Sequence, residues 1–272
     1  MASSGIAAID ALTGGLPRGC LTEIFGPASS GRTTVLLAAL AAATRREEFC
    51  ALVDASDSLD PQSAATSGVE LDRLFWVRCG ENPPRRHEGT EKRNSEDRSS
   101  SCNFKPQAEP GCPTLLSRSV RKGVGSSQPT LNSDKATSRS SEHCIEQVLR
   151  STDLLLESGG FGLIVLDLAD LPPQAARRIP LTTWFRFRRA VEYKSTILLV
   201  IEPQPIAGSC SSLVLQLGAQ EHPEEMDSCP SHARLFTGFN IHAEFVQSRL
   251  NHNTGRKPAR STIFETRTAW AG

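Results

Sequence analysis

Gly26, Pro27, Ala28, Ser29, Ser30, Gly31, Arg32, Thr33 and Thr34 constrain this chain more than any other stretch. Two glycines five residues apart, followed by a cation and a hydroxyl, form the layout of a phosphate-binding loop, with arginine where lysine is usual. Apolar residues 21–25 precede it as an expected strand, and alanine- and leucine-rich residues 35–43 follow as an expected helix. Successive amides at such a helix start make a concavity for phosphate oxygens. Gly26 and Gly31 permit the close backbone path. Thr33 supplies a hydroxyl for a divalent cation. Arg32 keeps a positive charge at the phosphates, but its planar fork is bulkier than an ammonium and is not a conservative replacement. The loop predicts nucleotide binding and leaves cleavage in question.

Lys plus Arg and Asp plus Glu both number 30, so net charge points to no partner. None of the eight cysteines forms a C-x-x-C pair, so reduced thiols are expected rather than zinc ligands or disulfides. No signal-peptide pattern opens the sequence. No apolar run reaches the roughly 18 residues of a membrane span. A soluble, cytoplasmic protein without a membrane partner is expected.

Three parts are visible. Residues 1–80 read as the first part of an α/β core. Residues 81–141, rich in Ser, Pro, Gly and charge, read as a disordered insertion that cannot bury enough apolar surface to offset chain entropy. Residues 142–272 read as the second part of the core with a basic C-terminal hairpin. Short apolar strands are expected at 51–53, 74–77, 163–166 and 196–201. Helices are expected at 142–158 and 182–192. Alternation of strands and helices predicts a mostly parallel sheet flanked by helices. Residues 235–245 and 261–268 predict an antiparallel edge around a polar turn at 251–255.

Several segments together resemble the bacterial RecA recombinase core: residues 14–19, residues 22–27 running into the loop, residues 53–61 and residues 68–74. The resemblance covers most of residues 5–80 and resumes over about 142–201. Within that superfamily the chain most resembles the ImuA-type accessory proteins of bacterial mutagenesis cassettes. A RecA-like P-loop α/β core, with ATP and Mg²⁺ as cofactors, is what the resemblance implies.

It also implies roles. Asp167, ending an apolar strand, matches the carboxylate that holds Mg²⁺ through water, with Thr33 as the other metal-side group. The competing reading is a strand-end acid that caps the next turn, and Asp170 is a fallback. The water-activating glutamate of the family aligns with Ser56, which cannot serve as a general base. Asp57 is adjacent but expected to point the other way. The polar sensor expected after strand 196–201 is replaced by Glu202, Pro203, Gln204 and Pro205. Asp60 matches an adenine contact, though Ser63 stands where a stacking tyrosine is usual. A helix cap with Pro61 at the first turn explains Asp60 equally.

DNA contacts are expected, if anywhere, at two basic clusters: Arg186, Arg188 and Arg189 beside Trp184, Phe185 and Phe187, and Arg249, Arg256, Lys257 and Arg260 with Arg267. Core aromatics with a solvated basic face, and an ordinary hairpin, are the competing readings. The segments matching the recombinase DNA loops, residues 171–173 and 204–209, are short. The subunit-docking N-terminal helix of recombinases is expected to be absent or very short.

The expected function is a RecA-like nucleotide-binding factor in DNA repair and damage tolerance, tied to the SOS response and translesion synthesis. It would meet a polymerase or recombinase and hydrolyse ATP weakly or not at all. The alternatives are an active recombinase on single-stranded DNA and a pseudo-ATPase scaffold working without nucleotide.

Overall fold

Among the described residues, eight strands form one sheet in the order β3-β2-β4-β5-β1-β6-β7-β8. A computed structural model describes residues 1–80, 133–219, 238–249 and 260–267. The expected disordered insertion lies almost wholly outside the described residues, as do the polar turn at 251–255 and residues 235–237 of the expected edge strand.

Strands β1 (Leu21–Phe25), β2 (Cys50–Asp54), β3 (Leu74–Arg78), β4 (Leu163–Asp167), β5 (Ile197–Glu202) and β6 (Leu213–Ala219) pair in parallel. The antiparallel edge follows as β7 (Gly238–Ser248) and β8 (Ser261–Arg267). β5 is inserted between β1 and β4, so one strand separates the phosphate loop from Asp167.

Parallel strands are buried on both faces, which is why their sequences read as unbroken apolar runs. Alternate residues serve two cores. On one face Ile24, Leu52, Val165, Leu199 and Leu215 pack with Leu36 and Leu40 of α2 (Arg32–Arg45) and with Ile9 and Leu12 of α1 (Ala7–Thr13). Ala64 of α3 (Pro61–Thr66) joins that core. On the other face Leu21, Val53, Leu166 and Val200 meet Val148 and Leu155 of α4 (Ser133–Ser158), Ala175 of α5 (Pro173–Ala176) and Trp184 and Phe187 of α6 (Leu181–Val191).

The expected elements are present with small shifts at their ends. α4 begins upstream of residue 142 because its polar first turns carry no apolar period to signal it. β6 carried no expectation. It is a short apolar run, and such a run by itself does not separate a buried strand from a buried helix segment. Among the described residues no helix is long and apolar enough to cross a membrane.

Candidate nucleotide site

β1 delivers the chain to Gly26, whose N–H donates to the Glu202 carbonyl at 3.2 Å. A Cβ at Gly26 would lie 2.4 Å from the Leu217 carbonyl oxygen, so only glycine fits between β6 and the loop. Ser29 adopts φ 61° and Gly31 φ 87°, and together they fold the loop back onto the start of α2. At Gly31 a Cβ would meet Ile241 Cδ1 at 2.0 Å.

The first helical bond of α2 runs from Val35 N–H to the Gly31 carbonyl at 3.1 Å. The amides of Arg32, Thr33 and Thr34 therefore have no partner within the helix. Pro27, Ala28 and Ser29 are exposed, and Ser30 is fully buried with its Oγ unpaired among the described residues. A cradle of free amides around an orphaned buried hydroxyl, at the positive end of a 14-residue helix, fits phosphate oxygens.

Arg32 is half-buried and donates from Nη1 to the Ala169 carbonyl at 3.2 Å. It thus spans from the phosphate loop to the turn after β4. Asp167 stands at that turn, opposite Asp54 in the β2–β4 register. Burial is the main cause that pushes the Asp167 carboxyl up to about 6; Asp54 and Asp170 add to it, while the Ala169 amide and Arg32 oppose it. Its Oδ1 accepts the Ala169 N–H at 3.1 Å, so it also caps its own turn as the competing reading required.

Folding therefore takes up a proton at Asp167. The folded state holds it between an ordinary aspartate value and about 6, so this residue's contribution to stability falls as pH rises through that window. Asp167→Asn is expected to remove that slope and to stabilise the nucleotide-free protein near neutral pH by on the order of 2 kcal/mol. Urea melts at about pH 4 and about pH 7 check it.

Thr33 lies at the second position of α2, exposed, and its hydroxyl makes no hydrogen bond among the described residues. An unengaged hydroxyl and a half-buried carboxylate whose Oδ2 makes no hydrogen bond among the described residues form a donor set that fits Mg²⁺.

The other expected groups fall into place locally. Asp54 is fully buried and accepts the amides of Ser56, Ser58 and Leu59 and the indole N–H of Trp76, which shapes the loop after β2. Within it the Ser56 hydroxyl is buried without a partner among the described residues. Asp57, at φ 58°, is engaged by Arg78 at 2.9 Å. Asp60 caps α3, accepting from Gln62 N–H at 3.4 Å, Ser63 N–H at 3.0 Å and the Ser63 hydroxyl at 2.5 Å. Those bonds, the Ser63 hydroxyl first, hold its carboxyl below the usual range.

Of the expected DNA residues, Trp184 and Phe187 are core, packed edge to face at 5.9 Å. Arg186 is held bidentately by Asp153 of α4 at 3.0 and 2.7 Å. Arg189, Arg249 and Arg260 are exposed and Arg188 is half-buried. Burial raises the Cys210 thiol, which Arg188 and Arg249 oppose. Arg256 and Lys257 lie outside the described residues, and so does the side chain of Arg267.

Sequence reasoning missed a pair of buried acids, Glu23 and Glu202. The signal was present: a glutamate inside the apolar run of β1 must find a buried partner.

Comparison with known proteins agrees with this geometry. Residues 1–82 match the RecA N-terminal domain. RecA of Nostoc punctiforme is 53% identical over 74 residues, 27% of this chain and 21% of that protein. The mitochondrial DNA repair protein recA homolog of Dictyostelium discoideum is 53% identical over 62 residues, 23% of this chain and 14% of that one. The matched region thus spans about a fifth or less of these relatives' length. The crystal structure of the RadB recombinase superposes with a TM-score of 0.52 at 14% identity, covering 98% of this chain and 96% of that one. The fold is RecA-like.

Proposed function

We propose that this chain is a RecA-like nucleotide-binding factor in DNA repair and damage tolerance, acting as an accessory to translesion synthesis with little or no ATP hydrolysis. The observation that carries the reading is the phosphate cradle joined by Arg32 to the turn after β4, with Ser56 where a carboxylate would activate water. Phosphoryl transfer needs cradling, a metal and a group that orients the nucleophile. The first is supplied by the loop amides and Ser30. Mg²⁺, held by Thr33 and Asp167, would neutralise charge on the phosphates. The third has no carboxylate at residue 56.

ATP then acts as a ligand that favours one state of the protein over another. When a phosphate takes Arg32 from the Ala169 carbonyl, the turn at 168–171 loses that tether. This links occupancy of the cradle to the surface that follows β4. Similarity to the RecA and recA-homolog proteins supports the repair setting. The exposed Arg189, Arg249 and Arg260 support DNA as a partner, by phosphate contact and with strong salt dependence.

Equilibrium ATP binding together with turnover, with and without single-stranded DNA, tests the proposal. Binding with little turnover supports it. DNA-stimulated turnover would instead mark an active recombinase, and absence of binding a nucleotide-independent scaffold.

Ser56→Ala is expected to leave residual turnover within about twofold and to change stability by less than about 1 kcal/mol, because the hydroxyl it removes is buried and unpaired. Steady-state phosphate release and a thermal melt of the variant check both.

A further inference from the structure

Glu23 lies in the middle of β1 and Glu202 closes β5, and both are fully buried. The strands are parallel neighbours, with Phe25 opposite Glu202. Strand alternation puts Glu23 on the face of Leu21, and Glu202 on the face of Leu198 and Val200, which is the α6 side of the sheet.

Glu23 is surrounded by donors. Its Oε1 accepts the amides of Ile206 at 2.9 Å and Ala207 at 2.6 Å, and its Oε2 accepts the Ser211 hydroxyl. Glu202 is not. Its Oε1 shares the Ile206 amide at 3.2 Å, while its Oε2 is buried with no partner among the described residues. An anionic oxygen left bare in an apolar core costs several kcal/mol. A protonated Oε2 is instead a donor, and the Glu23 carboxylate, which shares the Ile206 amide with Glu202, is the neighbouring acceptor.

We propose that Glu202 and Glu23 share one proton, and that this proton clasps residues 203–212 against β1 and β5, making Glu202 a positioning residue for that loop. Burial, reinforced by Glu23, raises the Glu202 carboxyl well above the ordinary glutamate range. The charged and titratable groups at the loop are Glu23 from β1, Arg177 at the end of α5, which donates to the Gln204 side chain, Arg188 from α6, Arg249 beyond β7 and the Cys210 thiol of the loop itself. The Ile206 amide favours the anion, but burial and the neighbouring carboxylate prevail at Glu202. The Glu202 carbonyl also holds the Gly26 amide, so the clasped loop and the phosphate loop share one anchor.

The folded state binds this proton where the open chain does not. The clasp therefore weakens as pH rises from the ordinary glutamate range toward the raised folded value.

Amide exchange of Ile206 and Ala207 in the full chain, from about pH 6 to about pH 9, tests the clasp against Leu199 and Val200 as internal references. In the wild type, protection at the two loop amides is expected to fall by up to about tenfold per pH unit relative to the references. In Glu202→Gln, whose amide N–H replaces the shared O–H, relative protection is expected to stay high and flat. Glu202→Ala is expected to lose it throughout. A carboxylic-acid infrared band present in the wild type at neutral pH and absent from Glu202→Gln is the independent signature. The proposal is overturned if that band is missing, if wild type and Glu202→Gln share one pH profile, or if Glu202→Gln is already unprotected at about pH 6.

Discussion

Arg32→Ala is expected to weaken ATP binding by about ten- to a hundredfold while leaving the protein folded. A charge-assisted hydrogen bond to phosphate contributes roughly 1.5–3 kcal/mol, which is that range of affinity. Folding should be spared because Arg32 is only half-buried and its partner in the nucleotide-free protein is a single carbonyl at 3.2 Å. Arg32→Lys is the informative companion. An ammonium is more compact than the guanidinium fork and presents a point charge to the phosphates. It should bind ATP at least as well as the wild type yet lose the bond to Ala169. Titration of fluorescent ATP into the three proteins, paired with thermal melts, separates affinity from stability.

Trp184→Ala is expected to destabilise the protein by about 3–5 kcal/mol, with up to about 1 kcal/mol more from the lost edge-to-face contact with Phe187. Trp184 is fully buried in the core beneath α6, so the truncation leaves a cavity that helix and sheet cannot both close. Its indole N–H has no partner, so Trp184→Phe removes an unpaired polar group as well as some volume and should cost only about 1–2 kcal/mol. Urea unfolding measures both. An exposed base-stacking tryptophan would instead give two near-neutral variants with weakened single-strand binding.

What was legible in the sequence follows from how local each feature is. The phosphate loop was legible because two glycines, a hydroxyl run and a strand-to-helix transition all lie within residues 21–45. The Asp60 cap was equally local, since Asp60, Pro61 and Ser63 are chain neighbours. The central strands were readable as apolar runs because both of their faces are buried.

Groups that depend on distant partners were not legible. Arg186 reads as a free cation beside aromatics, but its charge is met by Asp153, on a helix 33 residues away in the chain. Glu202 reads as a lost sensor until β1 brings Glu23 alongside it. Arg32 reads as an altered phosphate ligand, and only the fold shows that it reaches the carbonyl of Ala169, 137 residues on. β6 is a short buried apolar run whose pattern does not separate strand from helix, so it needed its neighbours in the sheet to be recognised.

Equilibrium binding of ATP to the purified full chain, with and without Mg²⁺, tests the central claim most directly. A built cradle predicts saturable binding well below about 1 mM, strengthened by Mg²⁺ and weakened in Arg32→Ala. Absence of binding at several times that concentration, from a protein that melts cooperatively, would contradict the account and leave a RecA-like fold that works without nucleotide.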